Sequence, residues 1–307
     1  MIKKKLGFIG LGKMGAGIAE RIIHSKLPII VYDFKKENIN KIVKKGACGS
    51  KSIEDVALKL ADPKLIILCV PAGKTIDEII NQLSLYLSSG DTLIDLGNSF
   101  YKDTQRRSEN LKKRGINFID AGMSGGIDGA RNGACLMIGG DKKEVSKLEY
   151  LFEILSFEGS YKYLGKSGAG HLVKGYHNLI EYGYLQSLAE GLESLSAISK
   201  KESINLSLEK VCDIWSKGSI IESRLVSDIK KAFEKDPSLE DISGSVYGQT
   251  LKEMQKLISI ANKSKVKIYS CKAAVKARMD SQKKPTYSGK IINAARNIFG
   301  GHTDWKK

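Results

Sequence analysis

Much of what would assign a protein quickly is missing from this chain of 307 residues. It has five cysteines, Cys48, Cys69, Cys135, Cys212 and Cys271, which are far apart, odd in number and without a CxxC pair. That spacing excludes a disulfide framework and a zinc ribbon, predicts no metal, and fits reduced thiols in a cytoplasmic protein. No apolar run reaches the ~20 residues of a membrane span, so no membrane partner is expected. The opening Met1-Ile-Lys-Lys-Lys5 imitates the basic end of a signal peptide. The apolar stretch behind it is short and broken by glycine, and reads as a first strand. Repeats, low-complexity tracts, basic arms and aromatic-basic RNA signatures are all lacking. The net charge of +16, from 50 Lys+Arg against 34 Asp+Glu, is spread along the chain. Spread in this way it suits anionic small molecules or solubility, and no nucleic-acid partner is expected. Hydrophobic residues at 42% and charged residues at 27% are ordinary for a globular protein of this size, with room for two domains.

What is present begins with glycine. Leu6 to Ile9 reads as a buried strand, Gly10-Leu11-Gly12-Lys13-Met14-Gly15 as a dinucleotide-binding turn, and Ala16 to Ser25 as a helix. In that turn one glycine makes the tight bend, one lets a pyrophosphate approach and one packs helix on strand. A second strand, Ile29 to Asp33, ends in an acid placed to bind a ribose 2′-OH. A carboxylate there favours NAD; Lys35 and Lys36 leave NADP open. Leu65 to Val70, Thr92 to Asp95 and Asn117 to Asp120 are further buried strands, and Cys135 to Ile138 and Gly159 to Leu164 look like late ones. Val70, Pro71 and Ala72 follow the third strand at the edge where open α/β sheets bind ligands. Asn98 and the Ser124-Gly125-Gly126 segment leave that same edge, the latter as a tight loop.

Near Gly165 the strand–helix alternation gives way to helices. The expected fold is α/β: a Rossmann-type parallel-sheet domain over 1–165, then an all-α domain over 166–307. No proline interrupts the chain between Pro71 and Pro237, so a long helix can start near Ala169. On it Lys174, His177, Asn178, Glu181 and Tyr182 share one face at offsets of three, four, seven and eight. That face mixes a possible base, an imidazole, an amide, a possible acid and a phenol. Glycines 175, 183 and 191 suggest close helix packing along the same helix.

The chain resembles the decarboxylating 6-phosphogluconate dehydrogenases in their short-chain form, almost end to end. The resemblance rests on the glycine turn, Asp95-Leu-Gly-Asn-Ser99, Gly122-Met-Ser-Gly-Gly126, Gly168 to Tyr182, Trp215 to Ser219, and Arg296-Asn-Ile-Phe-Gly-Gly-His302. The wider β-hydroxyacid dehydrogenase family shares the glycine turn, the Ser-Gly-Gly segment and the lysine, but lacks the His-Asn…Glu-Tyr set. The resemblance implies oxidation and decarboxylation of a phosphorylated sugar acid with NAD, or alternatively with NADP. It makes Lys174 the base, Glu181 the acid and Asn178 a member of the catalytic group. By the same resemblance Ser124, Gly125 and Gly126 cradle the carboxylate, and Asn98, His177 and Asn178 bind hydroxyls. Tyr182, Arg278, Arg296 and His302 bind the phosphate. The family's carboxyl end reaches into a neighbouring subunit, which implies a homodimer or homotetramer. Ser243-Gly-Ser-Val-Tyr-Gly-Gln-Thr250 departs from the family's Gly-x-Gly-(Lys/Arg)-Trp-Thr run, and Gly175 stands where methionine is common. The alternative is a β-hydroxyacid dehydrogenase that releases no CO2.

Overall fold

Short β-branched runs and helices with one apolar face alternate through the first half of the chain. The computed structural model describes residues 5–248 and 250–301. Two compact units divide between Gly175 and Tyr176, and each is described by itself.

The first unit runs β1 (Leu6–Ile9), α1 (Lys13–His24), β2 (Ile29–Tyr32), α2 (Lys36–Val43), β3 (Cys48–Gly49), α3 (Ile53–Leu58), β4 (Leu65–Leu68), α4 (Lys74–Leu83), β5 (Thr92–Asp95) and α5 (Tyr101–Lys112). It continues with β6 (Asn117–Ser124), α6 (Gly126–Asn132), β7 (Ala134–Gly139), α7 (Lys142–Ser146), α8 (Glu149–Leu155) and β8 (Ser156–Gly165). The eight strands form one sheet in the order β3-β2-β1-β4-β5-β6-β7-β8. Pairing is parallel throughout except between β6 and β7. Both faces are covered, which is why the central strands are continuous apolar runs. Phe8, Ile18, Ile22, Ile67 and Phe152 fill one core, and Ile9, Val56, Ile66, Ile76 and Leu93 the other. Removing a fully buried ring such as Phe152 would cost about 3–5 kcal/mol.

The strand order reverses between β1 and β4, and a crevice outside their carboxyl ends is where such sheets take ligands. α1 starts at Lys13 rather than Ala16, because the glycine turn itself supplies its first residues. β6 corrects a second expectation. It does not stop at Asp120 but runs on to Ser124, paired with β7 through Ser124↔Cys135. The Ser124 segment is therefore a strand end, and only Gly125 and Gly126 turn out of it, with φ of 136° and 64° that side chains rarely adopt.

α9 (Ala169–Lys201) begins in the first unit. The second unit holds the rest of it with α10 (Leu208–Trp215), α11 (Arg224–Lys235), α12 (Leu251–Lys263), α13 (Tyr269–Ser281) and α14 (Tyr287–Gly300). Leu185, Ala189, Leu192, Ile229, Phe233, Ile291 and Ala295 form its core. α14 stops at Gly301, whose φ of 61° is a left-handed cap, as the Gly300-Gly301 pair suggests. Gly183 and Gly191 do not mediate helix packing: a Cβ on either would meet nothing within 4 Å. Among the described residues no helix is long and apolar enough to cross a membrane, and no group of three or more metal-ligating side chains occurs.

Candidate active site

At the β1–β4 crevice the glycine turn has the shape its sequence requires. Gly10 has φ of 100°, and a Cβ there would run into the Cys69 carbonyl and lie 2.7 Å from Val70 Cγ1. A Cβ on Gly15 would collide with the Gly10 carbonyl, whereas Gly12 faces open space. Gly10 thus closes the turn on the loop after β4, Gly15 packs α1 against the end of β1, and the middle glycine leaves room for a phosphate. Lys13 and Met14 open α1, with Met14 against the core. Asp33 sits directly after β2. Its carboxylate accepts the Leu11 N–H at 2.6 Å, the Lys35 N–H at 2.8 Å and the Asn38 side-chain amide at 3.0 Å. A carboxylate has about four acceptor positions, so one remains for a ribose hydroxyl. The cradle fits a dinucleotide.

The flanking loops are tied down by buried charges. Val70 is half-buried, and Pro71 and Ala72 are exposed. Arg107, on α5, donates to the Gly73 carbonyl at 2.9 Å, to Asp77 and, at 3.4 Å, to Ser99 Oγ. The same guanidinium, with Arg106, holds the Asp77 carboxyl below the usual carboxylate range. Asp95 accepts the Gly97 N–H at 2.8 Å and the Ser99 hydroxyl at 2.7 Å, which leaves Asn98 between them exposed at the sheet edge. Sequence reading placed Asp95 only as a strand end and a motif member, gave it no role, and passed over Arg107. An acid that closes a buried apolar strand was the available signal.

Lys174 lies in the second turn of α9 and is 8% exposed. A Cβ on Gly122 would overlap the Lys174 Cβ, so β6 admits the lysine stem only because residue 122 is glycine. Ser124, Gly125 and Gly126 are half-buried at the end of that strand.

In the second unit His177, Asn178 and Glu181 are half-buried on α9, with His177 Nδ1 3.4 Å from Asn178 Oδ1. Tyr182 is buried, and its hydroxyl is 2.7 Å from Thr250 Oγ1. The guanidinium carbon of Arg278 lies 3.3 Å from the centre of the Tyr182 ring, a cation–π stack. Arg278 is 2% exposed, and neither its Nε nor its Nη2 has a partner among the described residues. Burial pushes this guanidinium down to about 10; nearby Arg296 adds to the shift, while Tyr182 and Glu181 oppose it. Arg296 is itself buried and donates to Asn293 Oδ1 at 2.7 Å. Tyr182 and Arg278 therefore come together with Thr250, which sequence reasoning passed over inside the departing 243–250 run. His302 lies outside the described residues.

Comparison with known proteins places these features. The profile described as the NAD binding domain of 6-phosphogluconate dehydrogenase matches residues 5–165, and that of the 6-phosphogluconate dehydrogenase C-terminal domain matches 184–306. YqeC of Bacillus subtilis, whose own assignment as a 6-phosphogluconate dehydrogenase is provisional, is 35% identical over 99% of this chain and 100% of its own length. An NAD(+)-dependent, decarboxylating 6-phosphogluconate dehydrogenase of Haloferax volcanii is 30% identical, with 97% of each chain covered. Among solved structures, Plasmodium falciparum 6-phosphogluconate dehydrogenase aligns with a TM-score of 0.76 at 27% identity, covering 91% of this chain and 62% of that one. Mycobacterium tuberculosis 3-hydroxyisobutyrate dehydrogenase shares the fold, with a TM-score of 0.74 at 15% identity over 95% of this chain and 99% of that one.

Proposed function

The chain belongs to the 6-phosphogluconate dehydrogenase family, and we propose that it oxidises 6-phosphogluconate at C3 and releases CO2 to give ribulose 5-phosphate, the decarboxylating step of the pentose phosphate pathway. The observation that carries this reading is the buried Arg278, stacked on Tyr182 with two of its nitrogens, Nε and Nη2, unpartnered among the described residues. In a β-hydroxyacid without a phosphate the one anionic group is the carboxylate, which this reading gives to the Ser124-Gly125-Gly126 segment, whereas a phosphorylated substrate brings a second anion, a dianion that matches the planar fork.

Lys174 takes the proton of the 3-hydroxyl as general base. NAD, which the glycine turn over 10–15 and Asp33 would hold, would supply the hydride acceptor. The 3-keto acid then loses its carboxyl carbon as CO2, and Glu181 supplies the proton needed by the adjacent carbon, which becomes C1 of ribulose 5-phosphate. Lys174 and Glu181 are seven residues apart on α9, about 10 Å along a helix axis, a separation suited to opposite ends of a small substrate. Asn178 belongs to this group and, with Asn98 and His177, binds hydroxyls. Ser124, Gly125 and Gly126 hold the carboxylate; Tyr182, Arg278, Arg296 and Thr250 hold the phosphate. Residues 1–165 serve the cofactor, with NAD preferred because Asp33 repels a 2′-phosphate. Residues 166–307 serve the substrate and assembly of a cytoplasmic homodimer or homotetramer, in which His302 of one subunit completes a neighbour's phosphate site.

Reduction of NAD and of NADP with 6-phosphogluconate, with CO2 measured alongside, tests the reading. Equimolar NADH and CO2 are expected, and Glu181→Gln should slow both by about 10²–10⁴-fold. Cofactor reduction without CO2 would establish the non-decarboxylating alternative.

A further inference from the structure

The first turn of α9 is fastened to the sheet by residues that no step above uses. Asp120, on β6, is fully buried. Its Oδ1 accepts the Gly168 N–H at 2.7 Å and its Oδ2 accepts the His171 N–H at 2.9 Å. These are two of the N–H groups that a helix start leaves without an internal partner, and a carboxylate there also opposes the positive end of the helix. Close approach depends on glycine. A Cβ on Gly139 would lie 2.7 Å and 2.8 Å from the two Asp120 oxygens, and one on Gly170 would collide with the Met137 carbonyl.

His171 supplies the second fastening. Its ring is 3% exposed, and Nδ1 lies 2.7 Å from Thr104 Oγ1 on α5. Its Nε2 is buried and has no partner among the described residues. Leaving a buried polar atom unpaired is unfavourable, and a leucine would fill the same space without that cost, so packing alone does not account for an imidazole here. The ring's orientation hangs on the one bond to Thr104. Thr104 Oγ1 also lies 3.5 Å from the Phe100 carbonyl. With its hydroxyl directed there, Thr104 accepts from Nδ1–H, and Nε2 carries the lone pair. His171 is three residues before Lys174, so the two share a helix face.

We propose that Asp120, His171 and Thr104 are positioning residues that fix the first turn of α9 against β6 and α5 and thereby set the reach of the Lys174 amine. The inference rests on the reading of Lys174 as the base. Misplacing a reacting group by about 1 Å can cost on the order of 10²-fold in rate, so a hydrogen bond one turn away can matter to turnover without touching substrate.

The test compares Thr104→Val, which keeps the volume and removes the hydroxyl, with Thr104→Ser, which keeps the hydroxyl. Expected are a fall in kcat of about 10- to 100-fold in Thr104→Val, an unchanged KM for NAD, and recovery to within a few-fold of wild type in Thr104→Ser. Asp120→Asn should lower kcat similarly if it folds. A second readout needs no substrate: the rate at which acetic anhydride labels Lys174, followed by peptide mass spectrometry across pH. Its profile should move in Thr104→Val and return in Thr104→Ser. Wild-type kcat and wild-type labelling in Thr104→Val would overturn the proposal. A wild-type protein that leaves 6-phosphogluconate unchanged would sink the substrate assignment instead, and the labelling profiles would still decide the positioning role.

Discussion

Asp33 and Arg278 are the two charged groups proposed above to meet ligands, and the fold prepares them in opposite ways. Asp33 reaches its working geometry inside the protein, held by the Leu11 and Lys35 N–H groups and the Asn38 amide. Arg278 is buried with two of its nitrogens unpartnered among the described residues. The first arrangement fixes a ligand group before the ligand arrives. The second keeps a desolvated charge that makes the free site less stable, and in the proposed reading the ligand brings the missing partner.

The largest effect should come from separating the chemistry from the cofactor cradle. Lys174→Met is expected to lower kcat by about 10²–10⁴-fold, while fluorescence titration gives an unchanged NAD affinity because the Asp33 network is untouched. Loss of NAD binding together with turnover would show that the cradle is not self-contained.

Arg278→Met attacks the other side of the contrast. It should raise KM for 6-phosphogluconate by at least about 30-fold, the low end of the ~2–5 kcal/mol cost of deleting one partner of a buried charge pair, and leave KM for NAD alone. The variant should melt no lower than wild type, since an unpaired buried guanidinium is gone. The sign with pH follows from the shift to about 10. Below that value Arg278 is charged in both folded and unfolded chains, and burial of the charge opposes folding in full. As pH rises through about 10 toward the unfolded value, the folded state sheds its proton first and the opposition fades. The melting advantage of Arg278→Met should therefore be larger at pH 8 than at pH 10.5; an advantage growing with pH would contradict the burial of an unpaired charge.

A smaller change tests how much of the cofactor choice Asp33 carries. Asp33→Asn keeps the size and removes the charge, so the ratio of kcat/KM for NAD over NADP should fall by about tenfold, roughly one pK unit's worth of interaction. An unchanged ratio would transfer the choice to Lys35 or Lys36. The smallest expected effect is at Gly183. With open space where its Cβ would go, Gly183→Ala should stabilise α9 by about 1 kcal/mol, the helix-propensity difference. A drop in melting temperature would mean that another surface covers α9 there in solution.

The two sides also differed in how far they could be read from sequence. β1, the glycine turn and Asp33 were legible because each depends on local chemistry: a buried apolar run, glycine where a Cβ collides, an acid at a strand end. β6 was cut short because Gly122 and Ser124 resemble loop residues, and their strand geometry comes from pairing with β7. Gly183 and Gly191 were over-read, since small residues permit close packing without requiring it. The Arg278 site was legible only as a motif match. Its burial against Tyr182 and the bond from Tyr182 to Thr250 join residues 68 to 96 positions apart in the chain, and no periodicity reports contacts at that range. Asp120 was read as the end of a strand, and nothing local shows that its carboxylate meets the start of α9, 48 residues later.

The sheet ends differently on its two sides, and that bears on how the protein behaves when concentrated. At one margin β3 is only two residues long. At the other, β8 runs for ten residues and among the described residues pairs only with β7. Such a margin invites strands from other molecules to add to it. Here it carries an exposed Lys162, a Glu158 with φ of 44° beside Gly159, and two register shifts against β7. Charge and irregular backbone make β8 a poor template for an added strand, despite the exposed Phe157 and Leu164 on it.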